Sequence, residues 1–162
     1  MEDKVFGTLS FRFGWTKKEQ IRFFDKLYNV RIRTSSLKDE LPTEIQQHSY
    51  LSFEAEKNTI CEKAKILIDN FIDVNKEQIS EQLGIQAIEN LATLLTPYEV
   101  LFFKNGKYAI LFQTKWSESD MCILCDGANL KVDEGYILEF EYWYRHLNWP
   151  QSIKCILVQE VR

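Results

Sequence analysis

The chain has 162 residues, a net charge of −4, 45% hydrophobic and 27% charged residues, and only six glycines and three prolines. That composition excludes a disordered chain and suits one compact domain over residues 1–162. No stretch approaches the roughly 18 apolar residues a membrane span needs. An acidic chain is also a poor general binder of nucleic acid, because Lys and Arg supply most of the affinity for phosphate.

The charge is uneven. Residues 1–38 hold nine Lys/Arg against four Asp/Glu, a surplus of five, and the remainder holds eleven against twenty, a deficit of nine. The start, MEDKVFGTLSF, has no basic segment followed by an apolar run, so the expected location is cytoplasmic. Reduced thiols are then expected at Cys61, Cys122, Cys125 and Cys155.

Along the chain, Val5 to Phe13 alternates apolar and polar residues with the period of a half-buried strand. Gly14-Trp15-Thr16 turns the chain, and Gln20 to Phe24 and Tyr28 to Thr34 read as two further strands. Their polar face would present Arg12, Arg31 and Arg33. Leu41-Pro42-Thr43-Glu44 reads as a helix start, with Pro in the first turn and acid at the positive end of the dipole. Ile60, Ala64, Leu67 and Phe71 share one helical face, widened by Ile68 and Ile72. Thr59-x-x-Glu62 could be a capping box restarting a second helix, so residues 42–74 form one long helix or two shorter ones. The polar stretch Asn75 to Gln82 and the run Ile85, Ile88, Leu91 together suggest a further helix, ended by Thr96-Pro97.

The densest strand signal surrounds Asn105-Gly106, a strong hairpin cue. Pairing outward sets Phe103 opposite Tyr108, Phe102 opposite Ala109, Leu101 opposite Ile110 and Val100 opposite Leu111. Both faces are apolar, so this hairpin belongs in the middle of the sheet, covered by helix on at least one side. Asp126-Gly127 reads as the turn of a second hairpin, with Cys125 against Ala128, Ile123 against Leu130 and Met121 against Val132. Phe140 to Tyr144 and Ile153 to Val161 read as later strands. The expected fold is α+β: an antiparallel β-sheet with the long helix, or two shorter ones, packed on one face.

The stretch TKWSESDMCILCDG, residues 114–127, carries three competing readings. In a strand, residues three apart point to opposite faces, so Cys122 and Cys125 cannot converge on one ion or bond to each other. Structural zinc normally takes four Cys or His ligands, and Cys61, Cys155, His48 and His146 are scattered singly. A redox pair belongs at a helix N-terminus, where the dipole lowers the thiol pKa. Glu118 and Asp120, with Ser117 and Ser119, offer hard oxygen ligands, but the loop lacks the length and glycine of an EF-hand. Neither a metal nor another cofactor is expected, and no phosphate loop, dinucleotide fingerprint or nucleophile elbow occurs.

What remains is recognition. Tyr142, Trp143 and Trp149, with Tyr136 and Tyr144, form an aromatic group of the kind enriched at binding hot spots. The expected partner-binding residues are therefore Trp116, Glu118, Asp120, Tyr142, Trp143 and Trp149, with a protein partner or a homodimer as the assembly. The rival is a small-ligand-binding protein or enzyme with its site between sheet and helix.

The order of Gly14-Trp15, the helix segment Gln47-His48-Ser49-Tyr50-Leu51-Ser52-Phe53, then Leu95-Thr96-Pro97-Tyr98-Glu99-Val100, Gly106 with Leu111-Phe112, Trp116 to Asp120 and Gly135-Tyr136 resembles a family of small bacterial domains of unassigned function. The resemblance covers residues 5–137. Its members look associated with toxin–immunity loci, which implies a cytoplasmic protein that binds and blocks a toxin. The chain departs from the pattern at Ser117, where the family looks acidic, and in its longer tail beyond Ile137. No catalytic residue carries over.

Overall fold

The computed structural model describes residues 1–134 except 87 and 89. The later strands expected at 140–144 and 153–161 lie outside the described residues.

A long helix lies on one face of a seven-stranded sheet of order β3-β4-β5-β6-β7-β8-β9, beside a separate two-stranded ribbon, β1 with β2. The strands are β1 Glu2–Asp3, β2 Gly7–Thr8, β3 Ser10–Phe11, β4 Trp15–Phe23, β5 Lys26–Thr34, β6 Leu95–Phe102, β7 Tyr108–Thr114, β8 Met121–Asp126 and β9 Asn129–Glu134. Two helices, α1 Glu44–Val74 and α2 Lys76–Leu83, separate β5 from β6.

The alternation from Val5 to Phe13 does not make one strand. The Asp3 carboxylate accepts from the backbone N–H groups of Val5 and Phe6, at 2.8 Å each, and bends the chain back on itself. Phe6 and Leu9 are buried as a result, and only Ser10–Phe11 joins the main sheet. Gly14 then enters β4 at φ +125°, where a Cβ would lie 2.2 Å from the Thr34 carbonyl oxygen, so no other residue fits.

Thr43 caps α1. Its hydroxyl accepts from the Gln46 N–H at 3.2 Å, while the Gln46 side chain accepts from the Thr43 N–H at 2.9 Å. This is the capping box, and Thr59-x-x-Glu62 lies inside one uninterrupted helix. The buried face runs Phe53, Ile60, Ala64, Ile68, Ile72, with Leu67 and Phe71 half-buried. The further helix forms over its polar part, Lys76–Leu83, and stops short of Ile85. Gly84 adopts the left-handed conformation (φ 66°) and ends α2. Residues Leu91–Thr93 form a single 3₁₀ turn, and Thr96-Pro97 is strand, with Pro97 tolerated beside a bulge.

Both hairpin registers differ from the simple reading. Phe102 pairs with Tyr108 and Leu101 with Ala109, one residue off. The loop is three residues long, closed by Phe103 N–H to Lys107 O at 2.9 Å, with Gly106 at φ 88°. In the second hairpin the turn is Gly127-Ala128, and Cys125 pairs with Leu130 and Ile123 with Val132. That shift is two residues, so each side chain keeps its expected face.

All neighbouring strands of the large sheet are antiparallel except β5 and β6, which are parallel. The sheet is therefore mixed, because the crossover through α1 and α2 returns the chain to the same end. Two polar anchors hold this joint. Glu99 of β6, 1% exposed at its side chain, accepts from Nε of Arg31 and from Nε of Arg33 at 2.8 Å. Arg33 also donates to the Phe13 carbonyl at 3.0 Å. At the end of the pair, the Phe102 carbonyl accepts from Ser35 N–H at 2.9 Å and from the buried Gln46 amide at 3.0 Å.

On the helix face the core is aromatic: Phe53, Phe102 and Tyr108 lie within 5.3–5.9 Å of one another, and Phe6 stacks on Tyr50 at 4.6 Å. The opposite face carries a second buried cluster of Leu101, Ala109, Leu111 and Cys122, to which neither α1 nor α2 contributes. No helix among the described residues is long and apolar enough to cross a membrane.

Glu99→Ala is expected to cost about 3–5 kcal/mol of stability, because it leaves Arg33 buried with one carboxylate fewer. Arg31→Ala, whose side chain is 40% exposed, should cost no more than about 1 kcal/mol. Urea denaturation of both variants checks the ranking; equal losses would mean that Glu99 is not the buried anchor.

Candidate functional site

The loop between β7 and β8 folds on its own hydroxyls. Thr114 Oγ1 donates towards the carbonyls of Ser117 and Ser119 at 3.3 and 3.4 Å, and Ser117 Oγ accepts from the Ser119 N–H at 3.0 Å. Lys115 N–H reaches the Leu94 carbonyl at 3.0 Å, tying the loop to the approach of β6. The Thr114 and Ser117 hydroxyls are thus engaged with the loop's own backbone, and its carboxylates are Glu118 and Asp120.

Trp116 is half-buried and packs against the helix-face core, whereas Glu118 is exposed. Asp120 is half-buried and accepts a hydrogen bond from the Tyr98 hydroxyl. Tyr98 sits at the register shift between Pro97 and Glu99 and packs against the second cluster. Trp116 and Asp120 line a recess of about 300 Å³ together with Phe71 of α1, Met121 of β8 and Val132 and Asp133 of β9. The structure thus brings Trp116 and Asp120 together, with Glu118 on the same short loop. Tyr142, Trp143 and Trp149 lie outside the described residues.

The sequence did not single out Phe71, Val132 and Asp133 for this place. Phe71 was legible only as a core position of α1. Asp133 joins because the second hairpin turns one residue later than Asp126-Gly127, which sets Asp133 opposite Cys122.

A second groove, of about 380 Å³, runs between α1 and the two hairpin turns. His48, Ser52, Glu56 and Lys63 line it from the helix, and Gly106, Tyr108 and Gly127 from the sheet. The four helix residues are all exposed, while Tyr108 is buried. Burial raises the Tyr108 phenol well above its ordinary pKa, so it stays protonated.

No family model, curated protein or solved structure compared with the chain matches it.

Cys122 and Cys125 lie on opposite faces, Cys125 in the helix-face core and Cys122 in the second cluster. Among the described residues no group of three or more His, Cys, Asp or Glu side chains could hold a metal ion. Burial pushes the thiols of Cys61, Cys122 and Cys125 from 9.0 up to about 12, so all three are protonated and poorly nucleophilic at neutral pH.

A pH dependence follows. The unfolded thiols ionise near 9.0 and the folded ones near 12, so the folded chain holds more protons between those values. Stability from this source is fully present below the unfolded value, declines as pH rises, and is lost above the folded value. Urea denaturation across the alkaline range should show that decline, with a shallower slope for Cys122→Ala; an unchanged slope would remove Cys122 from the account.

Proposed function

We propose that this chain is a non-catalytic protein-binding domain whose Trp116 recess receives a basic side chain from a protein partner. The observation that carries the reading is the pairing of a half-buried indole with Asp120 at one recess. An indole face attracts a cation, and a carboxylate beside it supplies a charge-assisted hydrogen bond. The Tyr98 hydroxyl holds Asp120 in place before binding, which lowers the ordering cost. Glu118 extends the negative field into solvent, where it steers a basic partner.

The protonated thiols support a non-catalytic role. The resemblance to domains of toxin–immunity loci supplies the biological setting: a cytoplasmic protein neutralising a basic toxin by occupying its surface. Tyr142, Trp143 and Trp149 stay in the proposed binding set on their sequence pattern alone.

A second reading rests on the groove between α1 and the hairpin turns, where His48, Glu56 and Lys63 bring both signs of charge to one concave surface. A small polar ligand is the occupant that reading requires.

Titration of the full chain with an arginine-rich peptide, followed by NMR, separates the two. The expected result is a saturable shift of the Trp116 indole resonance, weakened about tenfold or more by Glu118→Lys with Asp120→Asn. Shifts confined to His48, Ser52 and Lys63, or binding indifferent to the double substitution, would overturn the recess reading.

A further inference from the structure

Strand β4 pairs with β5 from Thr16 to Phe23, yet β3 covers only its first two residues, through Ser10 with Thr16 and Phe11 with Trp15. From Lys17 to Phe23 its other side meets no strand among the described residues. Such an edge presents unpaired backbone N–H and C=O groups, the template on which a further strand adds.

The turn decides which groups face outward. Phe24 and Asp25, at φ 49° and 59°, make a two-residue hairpin loop flanked by the pair Phe23 and Lys26. In such a hairpin the flanking pair exchanges ladder hydrogen bonds, and alternate residues along the strand do the same. Phe23, Ile21, Glu19 and Lys17 therefore bond inward to β5. The backbone groups of Arg22, Gln20 and Lys18 point out of the sheet edge.

The side chains repeat that division. Ile21 and Phe23 are buried in the helix-face core, whereas Lys18, Gln20 and Arg22 are exposed on the opposite face. Lys17 and Glu19 are engaged with each other and with Tyr50. No ion pair is formed by Lys18 or Arg22 among the described residues. Two unneutralised cations thus flank three residues of open backbone, within the third of the chain that carries the positive surplus.

We propose that this edge of β4 docks an extended acidic segment of a protein partner, which adds to the sheet with carboxylates four residues apart over Lys18 and Arg22. Backbone pairing supplies the alignment, and the two charges set the register. A second copy of the chain is the poorer occupant. Antiparallel self-pairing centred on Gln20 sets Lys18 against Arg22 twice, and like charges directly opposite each other destabilise a sheet. The proposal is independent of the Trp116 recess: one surface selects acid, the other base.

The test uses the full chain and two synthetic peptides of alternating valine and threonine, one with glutamates four residues apart and one with lysines in their place. The glutamate peptide is expected to bind and to slow hydrogen exchange at the amides of Lys18, Gln20 and Arg22. Lys18→Glu with Arg22→Glu should weaken that binding about tenfold and favour the lysine peptide instead. Glu118→Lys should leave it unchanged. Equal binding of both peptides, or binding without slowed exchange at those amides, would overturn the proposal. A dimer by sedimentation whose Lys18, Gln20 and Arg22 amides are already protected would overturn it in favour of self-pairing.

Discussion

The parallel contact between β5 and β6 is the constraint on which the molecule depends. Every other neighbouring pair in the large sheet is antiparallel and joined by a short connection or hairpin, so each forms with little chain to close. β5 and β6 are separated by the whole of α1 and α2. Nothing local fixes their register. The anchors are Glu99 held between Arg31 and Arg33, and Gln46 reaching the Phe102 carbonyl from the first turn of α1. A buried carboxylate without cations is very costly, so Glu99 discriminates strongly against any slipped pairing. Gln46 does the complementary task, because one side chain both caps the helix and ties it to the end of β6.

Consequences run outward from that joint to both candidate surfaces. Tyr98 lies at the bulge next to Glu99, and its hydroxyl donates to Asp120 at the Trp116 recess. On the other side, pairing β5 with β6 leaves β4 at the periphery, covered by β3 for two residues only. The positive surplus of the first third does not become a continuous basic face. Arg31 and Arg33 are spent on Glu99 and Lys17 is paired with Glu19, so the cations of β4 without an ion pair among the described residues are Lys18 and Arg22 at the edge.

Where a face pattern was unambiguous, the sequence was enough. Two strands within β4 and β5, helix over the 42–74 stretch and the opposite orientation of Cys122 and Cys125 follow from period alone, whereas the early start of β4 at Trp15 and the continuity of α1 do not. Where both faces are apolar the pattern is silent on register. That is why the hairpin around Asn105-Gly106 read one residue away from its true pairing, while the two-residue shift of the next hairpin cost no face assignment. Side-chain competition for the backbone was equally hidden: Asp3 breaks the apparent strand from Val5 to Phe13, and Gly84 ends α2 earlier than the apolar spacing implied. At the site, Trp116, Glu118 and Asp120 stood out because they are adjacent in sequence. Phe71 and Asp133 come from α1 and β9, and only the assembled sheet brings them to the same recess.

Native-state hydrogen exchange tests the central role of the joint most directly, by comparing amides of β5 with those of β8 in the wild type and in Glu99→Ala. If Glu99 locks two halves into one cooperative unit, Val30 and Ile32 exchange at the same limiting free energy as Ile123 and Cys125, and the substitution lowers all four together. Exchange of Ile123 and Cys125 that stays at its wild-type level while β5 opens would show that the halves fold separately and that the joint is not what unites them.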